Sequence, residues 1–560
     1  MYKTLNTAVF NDNKNECTRL VPLIYEWLEE KGFKNNNDAY AYTLTLKYDS
    51  SVEDEGYIFA PLNNGAAISA SCLSGLYAGA GHFLLTVRIK DGGLLPSEEY
   101  KVSTPQKKMR GMYFATHFHN FYNDAPISEV QRYVEEMALW GYNSFSAWFD
   151  MHHYTGIDDP KAVQMISRLR MIFETARNSG MKLYIGGLAN EGFSSTPEML
   201  KADWHAGQNG YHSEPMGHYH VEICPNAPGG MELILNNREE VLKAFEGIEF
   251  DYVSLWPYDQ GGCTCEKCAP WGANGFLKTA YSLIGLYRKY YPNSRFILST
   301  WYFDSFVNGE TAAFKKKFKN EGNYVSYILS EPHGPSGELT VRDKEICNLP
   351  IIGFPEISMY NAIPWGGYGA NPIPRRIRQI WDVCASEMQG GTPYSEGIYE
   401  DVNKFIISRL YWYGDYDITA ALHEYSAAYF SEECADDIAE CLSKMEISLL
   451  RGIMFDERYI DPYSFGASEY LKPGTQIVIH DPEPCKYIYD LVIKCNAALP
   501  PATRNTWRWR IIYLRAVIDN ELSSNNYKET EVCRKAYDEL IDIYHAQNAD
   551  YVVRPPVTQK

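Results

Sequence analysis

Asp259 lies in Val253-Ser-Leu-Trp-Pro-Tyr-Asp-Gln-Gly-Gly, where an apolar run gives way to a glycine-rich turn. A carboxyl group beside Trp256 and Tyr258 loses hydration, which raises its pKa and suits it to donate a proton. Glu356, in Ile352-Gly-Phe-Pro-Glu-Ile-Ser-Met-Tyr, and Glu396, after Thr392-Pro-Tyr-Ser, end two later apolar runs. One acid to protonate a leaving oxygen and an opposing carboxylate are what glycosidic cleavage requires. The separation of that pair, which chooses retention or inversion, is not written in a sequence. The plainer alternatives are that Asp259 caps its turn, that Glu356 forms a salt bridge inside the fold, and that the nearby Glu400 and Asp401 cap a helix starting near Val402.

Asp150, Glu191 and Glu331 also end apolar runs, and His117, His119 and Asn120 come at the end of an earlier one, Gly111–His117. With Trp256, Tyr258, Trp301, Tyr360 and Trp365 they form the expected set that hydrogen-bonds sugar hydroxyls and stacks on sugar rings. His152 and His153 stand beside Asp150, a weaker hint of a transition metal. Cys263, Cys265 and Cys268 make a C-x-C-x2-C cluster, and Cys224 in Ile-Cys-Pro-Asn supplies a fourth thiol. Four thiolates suit a closed, structural zinc site; the alternative is a set of free thiols packed in a loop.

These residues must be held by the segments that precede them. Eight short apolar runs, Gly111–His117, Tyr142–Phe149, Met181–Ala189, Asp251–Tyr258, Arg295–Phe303, Asn323–Glu331, Pro350–Ser358 and Gly391–Glu396, are separated by stretches long enough for helices. That repetition predicts an α/β chain built on a (β/α)8 barrel, with its site beyond the C-terminal strand ends, where the acid Asp304 also falls after the fifth run. Residues 1–104 read as a separate small α/β domain, 105–400 as the catalytic barrel and 401–560 as an α-helical domain. The long stretch from Glu191 to Asp251, rich in His and Gly, reads as a cap over the site.

A formal charge of −19, from 52 basic and 71 acidic residues, argues against nucleic acid as a partner. No run approaches the roughly 20 apolar residues of a membrane helix, and the N-terminus lacks an apolar signal core. The chain therefore reads as cytoplasmic, unless a signal peptide has been removed, and as one that could form homo-oligomers. Thirteen cysteines spread over 560 residues fit reduced thiols. No phosphate-binding glycine loop is present, and no organic cofactor is expected.

Lys108-Met-Arg-Gly-Met-Tyr-Phe, Ile223-Cys-Pro-Asn, Trp256-Pro-Tyr-Asp-Gln-Gly-Gly-Cys-Thr-Cys-Glu-Lys-Cys and Tyr394-Ser-Glu-Gly-Ile-Tyr-Glu-Asp-Val-Asn-Lys resemble a group of uncharacterised bacterial glycosidase-like barrels. That group is similar to family 20 hexosaminidases and family 67 α-glucuronidases. The resemblance implies a carbohydrate substrate and an N-terminal α/β domain before the barrel. In family 20 the fourth strand ends in Asp-Glu, the Glu being the proton donor. The matching pair here is Asp259-Gln260, and a glutamine cannot take that role, which leaves Asp259 as the candidate acid. The family 67 likeness implies a uronic acid and inversion, with Arg375 and Arg376 as candidate carboxylate readers. Two other classes stay open: a non-catalytic carbohydrate-binding barrel, and a barrel isomerase or lyase using a divalent ion on Asp and His ligands.

Overall fold

The computed structural model describes residues 1–10, 16–36, 40–116, 120–203, 220–259, 261–304, 308–330, 348–355, 357, 368–448, 451–453, 477–479, 483–525 and 528–547. Its centre is a closed barrel of parallel strands. In order these are Met109–Phe114, Ser144–Trp148, Lys182–Leu188, Tyr252–Trp256, Arg295–Ser299, Val325–Ser330, Ile351–Gly353 and Met388–Gly391, the last extended by Tyr394–Ser395. Each pairs in parallel with the next, and the eighth returns to the first, so no edge is left exposed. Each of the eight expected runs contains a strand, whole or in part. The eighth begins three residues earlier than its apolar run suggested, because Met388-Gln-Gly-Gly pairs through its backbone while offering little apolar pattern.

Alternation along the strands sorts the side chains. Met109, Tyr113, Trp148, Tyr184, Leu188, Trp256, Ile297, Leu329, Ile352 and Tyr394 fill the barrel, joined at its upper end by Trp301 and Phe354. Outward residues such as Phe114, Phe145 and Val253 pack on the helical layer. Ile127–Leu139, Pro160–Asn178, Gly230–Ala244, Leu277–Tyr290 and Pro374–Cys384 supply much of that layer. The first of these helices starts at Ile127 directly after Pro126, without a side-chain cap. The second is capped by Asp159, whose side chain accepts from Lys161 N–H at 2.9 Å.

Before the barrel, a five-stranded sheet runs in the order Thr4–Phe10, Ala41–Tyr48, Gly65–Ala70, Tyr57–Leu62, Lys101–Ser103. Helix Leu73–Thr86 covers it and packs against Ile127–Leu139 so closely that any β-carbon at Gly81 would collide with the Leu139 carbonyl. Arg110 explains part of the Lys108-Met-Arg-Gly segment: its guanidinium holds Glu55 of the N-terminal sheet region at 2.7 Å and the Gly141 carbonyl at 2.8 Å.

After the last strand, helix Asp401–Tyr413 packs into the barrel's own helical layer. The Lys404 ammonium reaches Tyr122 and Tyr133 at 3.0 and 3.1 Å, and Tyr142 donates to the Lys404 carbonyl at 2.8 Å. Helices Ile418–Tyr429, Ala435–Ser448, Glu483–Ala498, Trp507–Ser524 and Glu531–Ile543 follow. Among the described residues no helix is long and apolar enough to cross a membrane.

Candidate functional site

A buried cluster of acids and histidines gathers beyond the second, third and fourth strands. Trp148 faces the barrel interior, so Asp150, two residues on, points the same way. A single helical turn, Met151–His153, then folds His152 back over the strand ends. Asp150 Oδ1 stands 3.3 Å from His152 Nδ1, which stands 3.2 Å from Glu191 Oε1 beyond the third strand. The returning arm of the long third loop completes the group. It pairs with the strand extension through Gly192 N–H to the Val221 carbonyl and Ile223 N–H to the Asn190 carbonyl, at 2.8 and 2.7 Å. That pairing sets His220 Nδ1 3.2 Å from His152 Nδ1 and 3.5 Å from Asp150 Oδ1. It also turns His220 Nε2 toward Asp259 Oδ2, at 3.9 Å.

Burial and mutual charge push these groups apart. Burial, then Asp150 alongside, raises Glu191 to about 7. Burial likewise opposes ionisation of Asp150, but His220 and His152 outweigh it and hold Asp150 well below the usual carboxylate range. Burial would lower both imidazoles, yet Asp150 reverses the sign, raising His152 to about 10 and His220 also above its ordinary value. Glu222, two residues after His220, is fully enclosed and burial pushes it to about 8; Asn190 donates to it at 3.2 Å. Asp259 is 33% exposed, yet protein crowds its other sides, and desolvation raises it.

The floor beneath is aromatic. Trp256 lies 5.9 Å from Trp148, 5.6 Å from Trp301 and 4.7 Å from Phe354, ring to ring. The Trp148 indole also stacks on His220 at 6.1 Å. A cavity of about 630 Å³ lined by Lys108, Tyr252, Arg295 and Gln389 opens at the strand beginnings, the opposite end from where barrel chemistry sits.

The expected residues divide into groups. Asp150, Glu191, Asp259, Trp256 and Trp301 come together at the C-terminal end of the barrel. Asp150 and Glu191 turn inward toward the histidines rather than outward toward a sugar. His117, Glu331, Glu356, Tyr360 and Trp365 lie outside the described residues, as do His119 and Gln260. Glu396 is buried with both oxygens engaged, accepting from Tyr394 at 2.6 Å and Tyr399 at 2.9 Å. Arg375 and Arg376 begin a helix whose N–H groups donate to Glu446 at 2.8 and 3.0 Å.

Three expectations are corrected. Asn120 does not face a sugar: it caps a short turn, accepting from Tyr122 N–H at 2.9 Å and donating to the Ala115 carbonyl at 2.7 Å. Asp304, read as a strand-end acid, caps helix Glu310–Lys317 by accepting from Glu310 N–H at 2.7 Å. Tyr258 does not wall the mouth; it is fully buried and donates to Glu310 at 2.6 Å. Asn120 and Asp304 stand at corners shortly after a strand, where the backbone takes up their side-chain oxygens.

Glu310 is itself testable. Burial pushes it up to about 8, so it stays protonated when folded at neutral pH but ionises in the unfolded chain. Its contribution to stability is complete below pH 4.5 and is lost as pH rises through 8. Glu310→Gln is therefore expected to leave stability at pH 4 nearly unchanged and to raise it at pH 8, by roughly 4 kcal/mol. Urea denaturation at the two pH values reads the difference, and an equal effect at both would refute it.

The four cysteines also meet. Their sulfurs lie within 4.8 Å of one another, with Cys224 3.8 Å from Cys265 and 3.6 Å from Cys268. Hydrogen bonds from the Cys263 and Cys268 thiols hold Cys224 well below its ordinary value, while Cys263 and Cys268 themselves are raised.

His220 and Glu222 were missed as site residues because they lie in a long loop without strand-like length. The signal was the alternation His220-Val-Glu222-Ile-Cys224, which places all three polar side chains on one face of an extended segment.

No family model and no curated relative matches this chain. Solved structures do. A GH138 enzyme targeting pectin rhamnogalacturonan II superposes with a TM-score of 0.59 at 12% identity, covering 99% of this chain and 75% of that one. A GH115 4-O-methyl-α-glucuronidase with specificity for decorated arabinogalactans gives 0.58 at 10%, covering 97% and 76%. The GH20 β-N-acetylhexosaminidase of Streptomyces coelicolor A3(2) gives 0.54 at 14%, covering 78% and 93%. At such identities these likenesses show the fold: a (β/α)8 barrel of the kind carried by glycoside hydrolases.

Proposed function

We propose that this chain is a glycoside hydrolase that cleaves an O-glycosidic bond in an oligosaccharide or glycoconjugate. Asp259 donates the proton to the leaving oxygen. Glu356 supplies the opposing carboxylate from the seventh strand, with Glu396 from the eighth as the alternative. The observation that carries this reading is the setting of Asp259, a desolvated carboxyl group open to the mouth of a glycosidase-type barrel, beside an aromatic floor of Trp148, Trp256 and Trp301. Desolvation keeps an acid protonated until it is needed, and indole faces stack on the apolar faces of sugar rings.

The family 20 and glucuronidase-like neighbours suggest β-N-acetylhexosaminides and α-glucuronides as the first substrates to try. A glycan library assayed for new reducing ends tests the reading. Sugar release supports it, whereas saturable binding without release would replace it with a carbohydrate-binding barrel.

The cysteine cluster is proposed as a structural zinc site. Sulfurs about 2.3 Å from a tetrahedral zinc stand about 3.8 Å apart, which matches the Cys224 distances. Such an ion would tie the third loop to the loop that follows Asp259. Elemental analysis of protein purified without chelator is expected to show a zinc that Cys263→Ser abolishes; metal content unaffected by that change would rule the site out.

A further inference from the structure

We propose that Asp150, His152, Glu191 and His220 form a second metal site, binding a divalent transition ion such as zinc inside the barrel mouth. The argument is geometric. One donor atom from each residue lies within 4.8 Å of the other three. Nitrogen and oxygen ligands about 2.0–2.1 Å from a tetrahedral zinc stand about 3.3–3.4 Å apart. Five of the six edges of this tetrahedron measure 3.2, 3.2, 3.3, 3.5 and 4.0 Å.

The donor chemistry agrees. Two imidazole Nδ1 atoms face each other with two carboxylates beside them, and all four residues are nearly or wholly enclosed. Neither oxygen of Asp150, nor Oε2 of Glu191, receives a hydrogen bond of ordinary geometry, a costly state for buried carboxylates without a counter-ion. Two neutral imidazoles, two carboxylates and a divalent cation sum to zero charge. Outside the ligand set, the other His220 nitrogen, Nε2, faces Asp259 at 3.9 Å and is left out of the proposed coordination.

The placement gives the ion a task. His220 and Cys224 stand at the two ends of one extended segment, which bridges to the third strand's extension through Glu191 and Glu222. His220 belongs to the mouth site and Cys224 to the cysteine site. Two ions four residues apart would staple this arm of the loop over the barrel and fix Glu222 between them. Four protein ligands close the coordination shell, so the ion's role is to hold the mouth together, and the site does not depend on which bond the enzyme cleaves.

Metal counting tests this without any substrate. Wild-type protein purified without chelator is expected to hold two ions per chain. His152→Ala and Glu191→Gln should each remove one, and Cys263→Ser the other. Chelator-stripped wild-type protein titrated with Co2+ should show one site with intense sulfur-to-metal absorption and a second with only weak visible bands. The proposal is overturned if His152→Ala keeps the full metal count, or if every ion in the wild type disappears with Cys263→Ser. Should the variants fail to fold, the cobalt titration of the wild type decides alone: a single, sulfur-ligated cobalt overturns the site. Glycan release has no bearing on any of these readings.

Discussion

Asp259→Asn is expected to lower turnover by about 10²–10⁴-fold, the usual scale for a lost proton-transfer group, while leaving the fold intact. The amide keeps the size and shape of the carboxyl group, and His220 retains a polar neighbour at 3.9 Å. What disappears is the proton. The loss should fall on kcat with little change in KM, because a general acid contributes in the transition state more than in the bound ground state. A leaving group of low basicity needs less protonation, so an activated aryl glycoside should lose far less than an alkyl or sugar glycoside. That contrast separates a proton donor from a residue that only shapes the loop, whose loss would slow both substrates alike. Parental turnover on a natural glycan, or an equal loss on both substrate types, would assign the acid elsewhere.

The barrel was legible because its strands carry their own signature. Tyr142–Phe149, broken by Asn143, Ser144 and Ser146, and Met181–Ala189, broken by Lys182, are largely apolar stretches of strand length, as strands buried on both faces require, and a strand forms in each. The cysteine site was legible because C-x-C-x2-C is a spacing with few structural uses, and Cys224 sits in the long loop before the helix and strand that lead into it. Asp150, Glu191 and Asp259 could be placed because a strand-end position follows from strand direction. What those residues face could not be read the same way. Asp150 and Glu191 were expected to meet a sugar, yet the loop returning through His220 encloses them. Nothing in local periodicity says that a chain leaving at Glu191 comes back about thirty residues later in register with Asn190.

The misassigned polar residues share another cause. Asn120 and Asp304 satisfy backbone N–H groups at the first turn after a strand, and Tyr258 finds its partner in Glu310, 52 residues away. A side chain just beyond a barrel strand can serve the backbone, the core or the ligand, and sequence spacing is the same for all three. In the N-terminal domain, the strand Thr4–Phe10 escaped notice because Leu-Asn-Thr-Ala-Val-Phe buries little beyond its first residues. It is held by parallel pairing with Ala41–Tyr48 rather than by its own apolar pattern.

Asp401→Ala is expected to cost about 3–5 kcal/mol of stability, more than any surface change in this chain. Asp401 lies five residues beyond Glu396, fully enclosed, where the barrel meets the C-terminal helices. Its carboxylate accepts from Tyr133 of the barrel's first helix at 2.8 Å, from Tyr425 at 2.6 Å and from Arg508 Nε at 2.8 Å. Three elements distant in sequence thus converge on one side chain. Removing it strands a buried guanidinium whose remaining acid is Glu136, 3.2 Å away, and leaves two phenols without their acceptor. Arg508→Met should also destabilise, since it leaves Asp401 and Glu136 in the same enclosure. The double variant is expected to lose much less than the sum of the two, because each single change exposes the cost of the partner left behind. Urea denaturation of the four proteins closes the cycle, and strictly additive losses would mean the pair is not coupled. The consequence reaches the mouth, where Glu400 accepts from the Glu396 N–H at 2.7 Å and Tyr544, just past helix Glu531–Ile543, donates to the Glu396 carbonyl. A barrel whose eighth strand end is fastened from outside in this way should lose activity in step with the docking of its C-terminal helices, so that Asp401→Ala protein near its denaturation midpoint shows turnover falling before the β-sheet circular dichroism does.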